Sequence, residues 1–237
     1  MPRTFASAED QSPWRRRFEV IYLALRQRIT TLEYAPGARL DIDLLSNEFG
    51  VSRTPVRNVL QRLDLESLVR TRHGVGTIVA PLDLEDFRQA ARLRIELASL
   101  IGKFPATGIA ASALESLTRV SGDVALLADT RDAIVFARID MQVHDVIGTV
   151  VGNALMRRVF DEMYFRTARL RFHLLAEQAW DHEVSLLAKD MELLRDAMVR
   201  DDLDGVGALV GNSIQDTFTR MQPFLERLES RPFQPLN

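Results

Sequence analysis

Residues 41–80 read DIDLLSNEFGVSRTPVRNVLQRLDLESLVRTRHGVGTIVA. The pattern predicts a helix, a tight turn, a second helix and a short two-stranded ribbon. At the start of the second helix Ser52 offers an N-cap oxygen to the orphan N–H groups of the first turn. Pro55 falls inside that turn, where a missing N–H does no harm. Val56, Val59, Leu60 and Leu63 form the inner stripe of an amphipathic helix. The opposite face carries Arg53, Thr54, Arg57, Asn58 and Gln61. Arginine forks onto guanine or grips phosphate, and Asn and Gln match the adenine edge. Gly50, directly after Phe49, suits the left-handed position that turns a chain sharply at a helix end. Helix, short turn and polar-faced helix together make helix-turn-helix geometry. Segments 68–71 and 77–80 favour β structure and flank Arg72-His73-Gly74-Val75-Gly76, a basic, glycine-bearing tip. A basic hairpin after a helix-turn-helix reads as a wing, and Arg72, His73 and Gly74 join Ser52 and the polar face as expected DNA contacts. The bland alternative is a three-helix core with a solvated charged face.

Upstream, Phe18, Ile21, Leu25, Ile29 and Leu32 keep helical spacing, and Ala35-Pro36-Gly37 turns the chain into the motif. Arg15-Arg16-Arg17 reads as a solvated helix start that is also placed to touch phosphates. The whole chain, 237 residues with net charge −3, is not basic. By segment the balance changes: residues 1–81 hold 12 arginines against 9 acidic residues, net +3, and residues 82–237 hold 18 basic against 24 acidic, net −6. Positive charge therefore sits with the helix-turn-helix, as phosphate neutralisation requires. Cysteine is absent, which excludes disulfides, thiolate catalysis and Cys-ligated zinc. No signal pattern opens the chain, and no apolar run nears the ~18 residues needed to span a bilayer. A soluble cytoplasmic protein is expected.

After Pro81-Leu82-Asp83, a short linker, only helical periods appear, near 84–103, 112–128, 131–151, 154–178, 181–200 and 203–229. The expected fold is mostly α: an N-terminal winged helix over residues 14–81 and an all-α antiparallel bundle over 84–230. Within the bundle, Asp140 and His144 lie one turn apart on one helix face beside Phe136, Val143 and Ile147, so Asp140 points inward. A buried carboxylate needs a cation, a metal or strong donors. Two readings follow. Asp140 and His144 are half of a metal site of oxygen and nitrogen ligands, or Arg92 or Arg94 pairs with Asp140 while His144 is a hydrogen-bonded core histidine. Of Arg166, Arg169 and Arg171, one is expected to face inward and the rest to be solvated. Trp14, Trp180 and the methionines at 156, 163 and 191 read as packing residues.

The stretches YAPGARL at 34–40, FGVSRTPVR at 49–57, LQRL at 60–63 and Leu68-Val69 resemble the GntR family of bacterial transcription regulators. The resemblance implies operator contact through Arg53, Thr54 and Arg57, with the wing tip at His73 and Gly74 reaching the minor groove. It also implies a homodimer and hence a near-palindromic operator. One departure stands out: the family places a Glu-Arg pair at the start of the first motif helix, where this chain has Ile42-Asp43. A carboxylate cannot take over a phosphate contact.

Less densely, Leu84-Glu85-Asp86-Phe87, residues 92–96, residues 140–144 ahead of Gly152-Asn153, and residues 191–202 resemble the FCD branch of that family. This likeness implies a small organic-acid effector and, in many members, a divalent metal such as zinc or nickel held by an aspartate and three histidines. Asp140 and His144 match two ligands; the other two positions hold Met191 and Ser213, with Asp190 and Asn212 alongside as substitutes. Thioether and hydroxyl are poor replacements for imidazole. The chain's remaining histidines, His173 and His182, match no ligand position. The expected effector pocket thus comprises Arg92, Arg94, Asp140, His144 and Asn212. The chain is read as a DNA-binding regulator, a repressor answering a small organic acid, and not as an enzyme. The alternatives are a DNA-binding dimer without an effector and a metal-dependent enzyme built on Asp140 and His144.

Overall fold

In the computed structural model, residues 13–72, 74, 76–106 and 109–230 are described. The chain divides into two compact units with the boundary between Pro81 and Leu82.

The first unit runs α1 (Pro13–Thr30), β1 (Arg39–Leu40), α2 (Ile42–Phe49), α3 (Arg53–Leu65), β2 (Val69–Arg72) and β3 (Gly76–Val79). The Asp41 side chain starts α2 by accepting from the Asp43 and Leu44 N–H groups. Gly50 ends it in the left-handed region at φ 62°, its N–H reaching the last carbonyls. Ile21, Tyr22, Leu25 and Ile29 of α1 bury against Val56, Val59, Leu60 and Leu63 of α3, each at most 3% exposed. Two details differ from the sequence reading. Ser52 occupies the N-cap position of α3 with extended backbone, but its side chain makes no cap hydrogen bond. The ribbon is a three-stranded antiparallel sheet of order β1-β3-β2, in which Arg39 faces Ile78 and Arg72 faces Gly76. Two residues of β1 are too few to show an alternation, so the third strand has no periodic signature.

The second unit contains, among the described residues, α4 (Leu84–Ala98), α5 (Ala111–Thr130), α6 (Ala133–Thr149), α7 (Ala154–Leu174), a 3₁₀ turn at Leu175–Glu177, α8 (Trp180–Val199) and α9 (Leu203–Ser230). Asp83, Asp132 and Asn153 cap α4, α6 and α7, each accepting from two N–H groups of the first turn. Helix α4 packs on α7 and α9, and α5 packs on α6 and α8. Phe87, Leu170, Leu174, Met221 and Leu225 form one buried cluster between α4, α7 and α9. Gly207 permits the close approach of α9 to α4, since a Cβ there would lie 2.7 Å from the Ala98 carbonyl oxygen. Trp180 is a packing anchor: its indole N–H donates to the Leu127 carbonyl at 3.1 Å and its ring meets the edge of Phe136. Trp14 is half exposed and stacks on Phe18.

Candidate functional site

Two constellations carry the chemistry, one in each unit. In the first, the apolar stripe of α3 is turned inward, which leaves Ser52, Arg53, Thr54, Arg57 and Gln61 exposed and Asn58 half-buried on the other face. Beside it, Arg70 and Arg72 stand exposed on β2, and Gly74 holds a positive φ of 76° at the turn. His73 and Val75 lie outside the described residues. Arg57, Arg70 and Arg72 have no carboxylate partner among the described residues. Arg53 does: its Nη2 donates to Asp43 Oδ2 at 3.0 Å. The aspartate at the departure from the resembled motif thus neutralises one arginine of the polar face.

In the second unit, Asp140 is 7% and His144 3% exposed on the inner face of α6. Asp140 is held from α7, accepting from the Tyr164 hydroxyl at 2.9 Å and from Arg171 Nη1. Burial opposes the Arg171 charge, but the Asp140 carboxylate beside it raises the guanidinium above its ordinary value. The pairing foreseen with Arg92 or Arg94 is therefore corrected to Arg171. His144 bonds through Nε2 to Asp161 Oδ1 at 2.7 Å, and its ring stacks at 3.9 Å on Tyr164. Arg157 Nε donates to the same Asp161 oxygen at 2.7 Å. Burial drives the His144 imidazole down to about 4 despite that carboxylate, so it is neutral at neutral pH. Burial would also raise Asp161, but its bonds from His144 and Arg157 outweigh that and hold the carboxyl below its usual range.

These donors do not fit a divalent metal. Asp140 and His144 are each tied to separate partners, and Arg94 and Arg171 place positive charge beside them. Met191 is 1% exposed in the core, and Ser213 Oγ is spent donating to Asp190 Oδ2 at 2.6 Å. Among the described residues no group of three His, Asp or Glu side chains is arranged to hold an ion. His173 and His182 are exposed. The metal pair expected of Asp140 and His144 is corrected: Asp140 is bonded to Tyr164 and Arg171, and His144 to Asp161.

Both residues nevertheless line a cavity of about 100 Å³ formed by side chains of α4, α6, α7, α8 and α9. Arg94 lines it; Arg92 and Asn212 are exposed and do not, which corrects their place in the expected pocket. Sequence reasoning missed Tyr164, Thr167, Glu183 and Arg220 as lining residues, left open which α7 arginine would face inward, and weighed Ser213 only as a metal-ligand position. A signal was present on α7, where Arg157, Asp161, Tyr164, Thr167 and Arg171 repeat at spacings of four and three, a polar stripe on an inward face. Of the three arginines of which one was expected to face inward, Arg171 lines the cavity, Arg169 is also buried at 4% exposed, and Arg166 pairs with Asp86 and Glu162.

Residues 18–79 match the family model described as bacterial regulatory proteins, gntR family. An uncharacterized HTH-type transcriptional regulator from the TAR-I ttuE-ttuC' intergenic region of Agrobacterium vitis is 32% identical over 123 residues, covering 51% of this chain and 67% of that protein. The chain belongs to the GntR family of bacterial transcription regulators. A second relative, an uncharacterized HTH-type transcriptional regulator in an unstable DNA locus of Streptomyces ambofaciens, is 46% identical over 82 residues; the match spans 34% of this chain but only 35% of the Streptomyces protein. In fold, the chain is similar to E. coli McbR/YncC, with a TM-score of 0.70 at 17% identity over 88% of this chain and 98% of that one. It is also similar to a putative GntR transcriptional regulator from Rhodococcus sp. RHA1, with a TM-score of 0.67 at 19% identity over 88% and 98% of the two chains. No helix among the described residues is long and apolar enough to cross a membrane.

Proposed function

We propose that this GntR regulator is a repressor that binds its operator as a homodimer through the exposed face of α3 and releases it when a small organic acid enters the cavity of the helical unit. The observation that carries the DNA-reading half is the exposed row of Arg53, Thr54, Arg57 and Gln61, backed by exposed arginines on β2. In this reading α3 enters the major groove with its N-terminal end toward the backbone. Arg57 has the reach for a guanine edge or a phosphate, Gln61 suits adenine, and Arg70 and Arg72 supply phosphate neutralisation. Arg53 must leave Asp43 before it can grip DNA, so Asp43 tempers the contact.

The cavity supports the effector half. A bundle that only dimerised would have no use for a hollow into which Arg94, Asp140, Asp190 and Arg171 bring charge. Nor do the donors favour an enzyme: His144 is buried, neutral and tied to Asp161. Two states of the chain must differ in ligand affinity for any switching to occur.

Selection of bound sequences from a random duplex pool by the purified chain tests the reading. The expected enrichment is a near-palindrome whose half-sites lie a helical turn, or a multiple of it, apart. No enrichment above competitor DNA sinks it.

A further inference from the structure

The charges that line the cavity fall into two groups. Asp140 is matched by Arg171 and Tyr164, and Glu183 by Arg220, whose Nε donates at 3.0 Å. Two opposite charges are left over. Arg94, on α4, donates from Nη1 to the Thr167 hydroxyl at 2.8 Å and lies over the Tyr164 ring, yet among the described residues it has no ion pair, and its Nε is shut from solvent without an acceptor. Asp190, on α8, accepts from the Ser213 hydroxyl and, among the described residues, likewise has no ion pair. Each ionised group has a neutral hydroxyl where a counter-charge belongs, and the two do not reach one another.

Leaving a desolvated charge with a single neutral partner is costly unless something completes the shell. Burial pulls the Arg94 guanidinium down to about 10 although Asp140 lies near it, and burial pushes the Asp190 carboxyl up although Arg171 and Arg220 act on it from a distance. We propose that the cavity takes a small zwitterion, a short amino acid or amino acid-like compound, with its carboxylate on Arg94 and its ammonium on Asp190. This deepens the effector reading above and rests on it. A simple acid would satisfy Arg94 but leave Asp190 facing it unpaired; a simple amine would do the reverse. Only an occupant carrying both charges completes both shells and keeps the cavity neutral, so the unmatched partner excludes the one-charge analogues. The apolar lining, including Leu187, Val210, Ile214 and Met221, takes the carbon chain. The volume, about 100 Å³, is below that of a ~150 Å³ cavity that admits benzene, which limits the occupant to a few heavy atoms.

The test is calorimetric titration of the full chain with ω-amino acids from glycine to 5-aminopentanoate, each beside its matching alkanoate and alkylamine. The expected result is one amino acid that binds at least about tenfold more tightly than either one-charge analogue, a difference of roughly 1.4 kcal/mol. Arg94→Gln is expected to weaken every carboxylate-bearing probe, and Asp190→Asn to erase the preference for the amino acid over its alkanoate. Circular dichroism and melting establish that the variants fold; if Arg94→Gln does not, Arg94→Lys and the Asp190→Asn preference still decide. An alkanoate that binds as tightly as its amino acid overturns the proposal, and so does a preference that survives Asp190→Asn or a series in which nothing binds. Operator affinity measured on the same samples separates the two levels: tight zwitterion binding with unchanged operator affinity keeps the ligand class and removes the switch.

Discussion

The face of α3 and the cavity of the helical unit are both rich in charge, but they treat charge in opposite ways. On α3 and β2 the arginines stand in water, and Arg57, Arg70 and Arg72 find no carboxylate among the described residues, so their counter-ions come from outside the protein. In the cavity most charges are answered from within, by pairs such as Asp140 with Arg171 and Glu183 with Arg220. The difference teaches where single-residue changes will be felt. Removing an exposed arginine should disturb binding and leave folding alone; removing one member of an internal pair should disturb folding first.

Arg171→Leu breaks that contrast most severely. It strands a carboxylate that is 7% exposed, and a buried charge that loses its partner costs about 3–5 kcal/mol. The expected fall in Tm is on the order of 10 °C, and Asp140→Leu added to it should recover part of the loss. A Tm within a degree or two of the parent would show that Asp140 is reached by water and does not depend on the pair.

A second change sharpens the same side. The buried His144 refuses a proton until about pH 4, whereas in the unfolded chain it takes one up near its ordinary 6.5. Below about pH 6.5 the unfolded state therefore binds more protons, and this contribution to stability declines as pH falls from about 6.5 to 4. Asp161, Arg157, Arg94 and Tyr164 surround it, so the comparison must be made against a variant. His144→Gln, which keeps a donor for Asp161, should show a shallower loss of Tm across that window. Parallel curves would mean that His144 does not titrate there.

Smallest is the expected effect of Asp43→Asn on the DNA side. It frees Arg53 from an exposed pair worth 0–1 kcal/mol. Operator affinity should rise by up to about fivefold in a mobility-shift or anisotropy titration, most at low salt. A drop in affinity would show that Asp43 positions Arg53 for its contact.

The two regions were also unequally legible. The outward face of α3 follows from its own sequence, since Val56, Val59, Leu60 and Leu63 define the inner stripe and the remaining residues must face out. Gly50 announced the turn in the same local way. The cavity is assembled from residues far apart in the chain: Arg94 meets Thr167 at a separation of 73 positions, and Asp140 meets Arg171 at 31. Helical period put Asp140 and His144 inside but could not say which arginine would arrive. Arg92 and Arg94 differ by two residues, about 200° around a helix, so only one could face the cavity. The polar stripe of α7 was the available clue, and it was masked by Arg166 and Arg169, which break its spacing. Helical position marks Met191 as core, but nothing local in the sequence ties Ser213 to Asp190, 23 positions away.

The most direct measurement is the affinity of Arg57→Ala for the selected operator, followed by fluorescence anisotropy together with the Tm of the variant. Loss of a base or phosphate contact on α3 predicts weakening by roughly 1–3 kcal/mol, about fivefold to more than a hundredfold in Kd, with Tm unchanged because Arg57 is exposed and has no carboxylate partner among the described residues. Operator affinity equal to that of the parent chain would contradict the assignment of this face to DNA.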